Sequence, residues 1–189
     1  MMTLEEVRRQ IDKIDAEIKQ LFFKRMDVAH QVAEIKYEAN ETTIYRADRE
    51  ADMIRRLTED VPSDLVAEYT ALLRKVIEVS RKYQYGLMYN WNPDFFTPLA
   101  EGVSIRESDT RVKVRLTRTD SCNSMSSILS MIGDYGFNME QMYLLEMNAE
   151  QQTVSFELII RGNLNDTSMR KLMFQLSKEA LAFQILESF

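Results

Sequence analysis

The sequence has little of three residue types that carry much of protein chemistry. Its 189 residues include one cysteine, one histidine and five glycines. Cys122 has no second cysteine for an internal disulfide or a multi-thiolate zinc site, and His30 lies far from it in the sequence. The glycines are scattered, so they form neither a G-x-G-x-x-G motif nor a P-loop. We therefore expect no cysteine–histidine nucleophile, no metal site and no cofactor.

Charge of one sign and long apolar runs are also lacking. The net charge is -6, and no block of five like charges occurs, so we expect no nucleic-acid partner. No apolar run approaches the roughly 18 residues of a membrane span. The first ten residues, MMTLEEVRRQ, are charged from the fifth position and do not resemble a signal peptide. We therefore expect a cytoplasmic protein with no membrane partner.

Proline is rare, and its positions predict the domain organisation. The first of the three prolines is Pro62, whereas residues 86–110 hold two prolines and two glycines. This distribution predicts a helical domain at residues 1–88, a linker at 89–110 and a second domain at 111–189. A third helix of the first domain is expected to begin after Pro62, with Ser63 as its N-cap.

The opening segment predicts one long helix. Thr3 and Glu6 form a capping-box signature, and apolar residues then recur with heptad spacing. They are Leu4, Val7, Ile11, Ile14, Ile18, Leu21, Val28, Val32 and Ile35. A domain of this size is too small to cover so long an apolar stripe alone. We therefore predict that a partner chain covers it, most simply in a homodimer or a higher homo-oligomer.

The heptad stripe is interrupted by a cation. Arg25 stands where an apolar residue is expected, and a buried guanidinium needs either an internal carboxylate or an anionic ligand. Lys36 falls on nearly the same face, roughly 16 Å further along the helix axis, so both side chains can reach one small molecule. Arg8 lies roughly 25 Å from Arg25 along the axis and can share that ligand only from the partner subunit.

The next two predicted helices also carry polar groups beside apolar stripes. Arg46, Arg49 and Glu50 flank the stripe of the second helix, and Ser80 and Gln84 lie one turn apart on the third. Each feature alone is common on a solvated helix face. Together they predict a polar cavity inside a helical bundle, rich in fixed positive charge, that suits a small dianion.

These residues resemble the all-helical chorismate mutases over residues 3–88. The resemblance rests on the ordered set Arg8, Ile11, Ile14-Asp15, Lys24-Arg25, Lys36, IYR-x-DRE at 44–50 and Ser80-x3-Gln84. It implies an intertwined dimer of three-helix protomers in which the long helix spans both subunits. The implied active site takes Arg25, Lys36, Arg49, Glu50, Ser80 and Gln84 from one chain and Arg8 from the other. Arg46 has an implied supporting role only.

The resemblance implies the rearrangement of chorismate to prephenate, a step of phenylalanine and tyrosine biosynthesis. This pericyclic reaction needs no covalent intermediate, proton transfer or cofactor, so catalysis depends on conformation and charge. In the implied roles, Arg8 and Arg25 clamp the two carboxylates, and Arg49 and Ser80 complete the shell around them. Lys36 and Gln84 face the ether oxygen, and Glu50 holds the ring hydroxyl.

The second half of the chain has a different periodicity. Val112, Val114 and Leu116 alternate with polar residues, as do apolar residues at 154–160, and helical patterns separate the strands. The order predicts a βαββαβ ferredoxin-like sandwich, so the fold class is multidomain, all-α followed by α+β. This half resembles an ACT domain. Its final FQILESF is similar to the last strand in bifunctional chorismate mutase/prephenate dehydratases.

The ACT-like half departs from that family at two segments. Residues 120–125, DSCNSM, replace a Pro-Gly-Ala-Leu-like turn, and residues 143–147, YLLEM, replace Glu-Ser-Arg-Pro. The resemblance implies an amino-acid effector, but we do not expect phenylalanine binding through the familiar motif. The domain is expected either to regulate the assembly or to stabilise it. The segment between the halves is too short for a dehydratase domain, so no dehydratase activity is predicted.

Two alternative functions remain open at the level of sequence. An isochorismate pyruvate lyase uses the same helical fold and an overlapping cationic site, although the carboxylate of Glu50 suits the hydroxyl of chorismate. A non-catalytic sensor, in which both halves only bind small molecules, is the third interpretation. The complete set of polar site positions favours the mutase over the sensor.

Overall fold

The computed structural model describes residues 2–121 and 124–189. Met1, Cys122 and Asn123, including the cysteine discussed above, lie outside the described residues. The helical half comprises α1 (Leu4–Glu38), α2 (Ala47–Thr58) and α3 (Val66–Trp91), followed by a 3-10 helix at Pro93–Ala100. The second half comprises β1 (Arg111–Thr119), α4 (Ser124–Asp134), β2 (Asn138–Asn148), β3 (Thr153–Arg161), α5 (Thr167–Glu179) and β4 (Ala182–Ser188).

Helix α1 begins at the predicted capping box. The Thr3 hydroxyl accepts a hydrogen bond from the Glu6 backbone N–H at 3.2 Å, and the Thr3 N–H donates to the Glu6 carboxylate at 2.7 Å. The predicted long helix is confirmed, with 35 residues. Its buried face consists of Met26, Ala29 and Ala33, and two alanines on this face permit close packing against α3.

The heptad stripe of α1 lies on another face of the helix. Ile11 is 50% exposed and Ile35 is 67% exposed, and the other large apolar residues of the stripe are also exposed, except for the half-buried Val7. A single protomer therefore presents a continuous apolar stripe along most of a helix about 52 Å long.

The predicted start of α3 is wrong by two residues. Ser63 does not cap the helix, because the Leu65 N–H donates to the Pro62 carbonyl at 2.9 Å and residues 63–65 form a turn. The helix begins at Val66 and has no side-chain N-cap.

The second half has the predicted order of strands and helices. Its four strands form one antiparallel sheet in the order β2-β3-β1-β4. Alternate residues of the two central strands are buried, including Val112 and Val114 on β1 and Phe156 and Leu158 on β3. The period-two pattern of the sequence therefore marks the sheet face that forms the core.

The two halves share a buried core. Tyr85, Met88 and Tyr89 of α3 belong to the same cluster as the buried residues of the sheet and α5. The rings of Tyr85 and Phe174 pack edge to face at 5.8 Å, and Phe95 stacks on Phe174 at 5.0 Å. The helix that carries Ser80 and Gln84 is therefore packed directly against the second half of the chain.

None of the helices in the described part of the chain has the length and apolarity that are needed to cross a membrane.

Candidate active site

The helical half contains a cavity of about 570 Å³ between its three helices. Six of the seven predicted site residues line it, and the cavity also has apolar walls, including Val28, Val32 and Ile77. Its polar lining consists of Arg25, Lys36, Glu41, Arg46, Arg49, Glu50, Ser80, Arg81 and Gln84. Positions up to 59 residues apart in the sequence thus converge on one space, from Arg25 to Gln84.

Arg25 is the clearest candidate for binding an anion. Its Nη1 atom is buried, and no hydrogen-bond partner for this atom is found among the described residues. Burial lowers the pKa of Arg25 from its ordinary value. Sequence reasoning left two partners open, an internal carboxylate or an anionic ligand. The structure shows no ion pair of Arg25 within residues 2–121 and 124–189, which favours the ligand.

Lys36 is held at the cavity edge by the segment that precedes α2. Its Nζ donates to the Glu41 carboxylate at 2.8 Å and to the Thr43 carbonyl at 2.7 Å, and its side chain is 17% exposed. Hydrogen bonding and attraction to Lys36 lower the pKa of Glu41. Sequence reasoning missed Glu41, since it lies in a polar turn whose path back to Lys36 depends on the tertiary fold.

Ser80 and Gln84 are buried together on α3. The Gln84 side-chain amide donates to the Ser80 carbonyl at 3.1 Å and lies 3.2 Å from the Ser80 hydroxyl. The Gln84 Oε1 atom is buried, and no partner for it is found in the described part of the chain. A buried acceptor without a donor costs about 1–3 kcal/mol, so this atom favours a ligand or water in the cavity.

Glu50 is held by a residue that the sequence analysis did not identify. Its Oε2 accepts a hydrogen bond from Nη1 of Arg81 at 2.5 Å. Burial raises the pKa of Glu50, attraction to Arg81 opposes this rise, and the nearby carboxylates Glu179 and Glu78 add to it. Arg81 follows Ser80 directly on the buried face of α3. A charged residue on such a face needs buried counter-charges, and this is the sequence signal that could have revealed it.

The two arginines at the start of α2 line the exposed side of the cavity. Arg46 lies 3.4 Å from the Asp48 carboxylate, and the Arg49 side chain is exposed. Arg8 is also exposed, and it does not line the cavity. It lies near the start of α1, roughly 25 Å along the axis from Arg25, so a single protomer does not bring it to the other six residues.

The polar lining has an excess of positive charge. Five side chains are cationic (Arg25, Lys36, Arg46, Arg49 and Arg81), whereas two are carboxylates (Glu41 and Glu50). A cleft of one predominant sign concentrates ligands of the opposite sign. No group of three His, Cys, Asp or Glu side chains that could hold a metal ion is found among the described residues. The arrangement is suited to binding a small, doubly negative molecule.

The helices that form this cavity match a known family. Residues 7–85 match the family model described as chorismate mutase type II. The matched range contains all the residues of the predicted site, including Arg8. The helical half therefore carries a chorismate mutase type II domain. No curated protein sequence matches the chain.

Two solved structures are similar to part of the chain. One is described as "GqqA- a novel type of quorum quenching acylases", with 12% identity and a TM-score of 0.41, covering 46% of this chain and 44% of that one. The other is prephenate dehydratase from Arthrobacter aurescens in complex with L-Phe, with 15% identity and a TM-score of 0.41. That match covers 46% of this chain and 29% of the other, so this chain spans less than half of either protein.

Proposed function

We propose that the protein is a chorismate mutase that isomerises chorismate to prephenate. The observation that carries the proposal is the unpartnered, buried nitrogen of Arg25 in a cationic cavity of a chorismate mutase type II domain. Chorismate has two carboxylates, and its rearrangement is unimolecular. The excess of positive charge in the cavity supports binding of the two carboxylates, and the three surrounding helices provide walls that can hold one conformer.

In this mechanism the cavity holds the substrate in a compact, reactive conformer. Arg25 and the partner subunit's Arg8 bind the two carboxylates, with Arg49 and Ser80 completing the contacts. Lys36 and Gln84 face the ether oxygen, where negative charge develops as the bond breaks. Glu50 accepts a hydrogen bond from the ring hydroxyl at Oε1, an atom for which no hydrogen bond is found within the described residues. Its Oε2 stays hydrogen-bonded to Arg81.

The proposed assembly is a homodimer or a higher homo-oligomer. The exposed heptad stripe of α1 supports it, because Ile14 and Leu21 are 56% and 63% exposed on the isolated chain and such stripes are normally covered. A partner helix on this stripe provides a route for Arg8 to reach the second cavity. The expected location of the enzyme is the cytoplasm.

We propose further that the second half is an ACT-like domain. The βαββαβ order and the antiparallel sheet support this interpretation. Its role is either to regulate the enzyme through an amino-acid effector or to stabilise the assembly. Calorimetric titration with phenylalanine, tyrosine and tryptophan distinguishes the two roles, since a stabilising domain shows no heat of binding with any of them.

The activity is tested with purified protein and an Arg25→Leu variant. We expect the wild type to convert chorismate to prephenate, identified by NMR, and the variant to lose at least about 100-fold in kcat/KM. Arg56→Leu is the matched control, because Arg56 is exposed on α2 and does not line the cavity. Consumption of isochorismate with release of pyruvate, and no turnover of chorismate, would identify a lyase. Binding without turnover of either compound would identify a sensor.

A further inference from the structure

Arg81 connects the candidate site to the second half of the chain. Its side chain is 7% exposed and has one carboxylate partner on each side. Nη1 lies 2.5 Å from Oε2 of Glu50 on α2, and Nε donates to Oε1 of Glu179 on α5 at 3.0 Å. The guanidinium also lies over the ring of Tyr45, 4.9 Å from its centroid. Three buried or half-buried charges from three helices thus form one chain.

We propose that Arg81 is a positioning residue that places Glu50 in the cavity. In this proposal Glu179 of the second half sets the position of the guanidinium and competes with Glu50 for its positive charge. The inference rests on the proposed function of the cavity and extends it. The active site then includes a support that lies outside the chorismate mutase type II domain, because residues 7–85 do not contain Glu179.

The position of Glu179 is determined by the second half of the chain. The Gln175 amide donates to Glu179 Oε1 at 2.8 Å, and the Tyr135 hydroxyl donates to the Gln175 Oε1 at 2.9 Å. The Glu179 side chain is 1% exposed, and Arg118 of β1 approaches its Oε2 at 4.0 Å. A shift of α5 or β1 relative to α3 therefore changes the contact of Glu179 with Arg81.

The contacts of Arg81 are sensitive to the charge of either carboxylate partner. Burial opposes the charge on Arg81, but attraction to Glu179 and Glu50 more than offsets it and raises the pKa of the guanidinium. One cation is therefore shared between two carboxylates. When a buried carboxylate loses its charge, the remaining pair becomes tighter, whereas loss of the cation leaves two buried carboxylates close together.

Many charged groups surround Glu50, and the test must isolate two of them. Arg81, Glu78 and Arg74 come from α3, Glu179 from α5, Arg118 from β1, Arg25 and Lys36 from α1, and Arg46, Arg49 and Arg55 from α2 or its N-cap. Among these, Arg81 lowers the pKa of Glu50, and Glu179 raises it.

Removal of Arg81 and removal of the Glu179 charge therefore predict opposite effects on Glu50. Arg81→Met removes the cation, so the pKa of Glu50 rises. As the pH falls, activity is then lost already at a higher pH than in the wild type. Glu179→Gln keeps the shape but removes a negative charge, so the pKa of Glu50 falls and activity persists to lower pH. We expect Arg81→Met to lower kcat/KM at neutral pH by about 10- to 100-fold and Arg81→Lys to restore most of it.

The experiment measures the Glu50 carboxyl by 13C NMR titration and the pH profile of kcat/KM for chorismate, in the full chain and its variants. Glu157→Gln is the control, since it removes a carboxylate from another ion pair, with Lys113 at 3.0 Å on the sheet, and Glu157 lines neither cavity beside Glu50. It should leave both readouts unchanged.

Opposite shifts of the Glu50 titration in Arg81→Met and Glu179→Gln support the proposal. An unchanged titration in both variants overturns it, as does a shift of equal size in Glu157→Gln. If Arg81→Met does not fold, the nearly isosteric Glu179→Gln carries the test: a lowered Glu50 pKa supports the proposal, and an unchanged one overturns it. If the wild type leaves chorismate unchanged, the proposed function is wrong. The titration of Glu50 still tests independently whether Arg81 and Glu179 control its charge.

Discussion

At the scale of single residues, Arg25 is a candidate site residue that interrupts an apolar packing pattern. It occupies an apolar position of the α1 stripe, and its Nη1 is buried without a partner among the described residues. Such a group lowers the stability of the folded protein while the cavity is empty. The arrangement is typical of sites in which function opposes stability.

This conflict predicts that Arg25→Leu is more stable than the wild type. The leucine restores the apolar stripe and removes the unpartnered nitrogen, so we expect the free energy of unfolding to rise by about 1 kcal/mol or less, because Arg25 is only half-buried. Urea denaturation of both proteins at equal concentration measures this change. A variant that is less stable than the wild type would show that Arg25 has a structural partner, such as a carboxylate of a second subunit.

Residues differ in how readily the sequence reveals them. Arg25 could be found because it interrupts a regular apolar spacing, and Ser80 and Gln84 because they lie one turn apart. Arg81 could not be assigned, since its two partners come from α2 and α5 and only the folded chain brings them together. The predicted roles of all seven site residues stay predictions until activity is measured.

At the scale of elements, α3 organises both the cavity and the contact between the two halves. Its Tyr85 hydroxyl accepts hydrogen bonds from the backbone N–H groups of Ile44 and Tyr45, both at 3.1 Å. Burial raises the pKa of Tyr85, so the hydroxyl stays protonated at physiological pH. This single side chain fixes the segment that carries Glu41 and leads into α2.

We expect Tyr85→Phe to destabilise the protein by about 1–3 kcal/mol, because two backbone donors lose their acceptor. The loosened segment should also raise KM, since it positions Lys36 and the start of α2. Tyr83→Phe is the control on the same helix, because Tyr83 is 38% exposed. Thermal unfolding and steady-state kinetics measure the two effects. Equal unfolding temperatures of Tyr85→Phe and the wild type would contradict this role.

Helices and strands were predictable from the sequence where apolar residues are confined to one face of the element. The capping box and heptad spacing located α1 correctly, and strict alternation located β1 and β3. The start of α3 was missed, because the turn after Pro62 extends through Leu65 before the helix begins. Strand β2 lies at an edge of the sheet and has few buried residues, so its sequence shows no clear alternation.

At the scale of the whole molecule, one feature joins the two halves of the chain and another concerns a second protomer. The buried core continues from α3 into the sheet and α5, and the apolar stripe of α1 remains exposed in a single protomer. The first feature connects the proposed site to the second half of the chain. The second supports a dimer in which each cavity is completed by the other subunit. The heptad spacing predicts a dimer, which stays a prediction, and it contains no information on how the two halves pack.

The central claim is that two protomers together form a cationic site for chorismate, and a heterodimer tests it most directly. Arg8→Ala and Arg25→Leu chains carrying different tags are co-expressed, and the mixed dimer is isolated through both tags. Each parent should be inactive. In the mixed dimer one cavity combines an intact Arg25 with the partner's intact Arg8, whereas the other lacks both.

The account predicts that the mixed dimer converts chorismate to prephenate at about half of the wild-type rate, since one of its two sites is complete. A mixed dimer that is as inactive as its parents, or a wild type that elutes as a monomer and works at full rate, would contradict it.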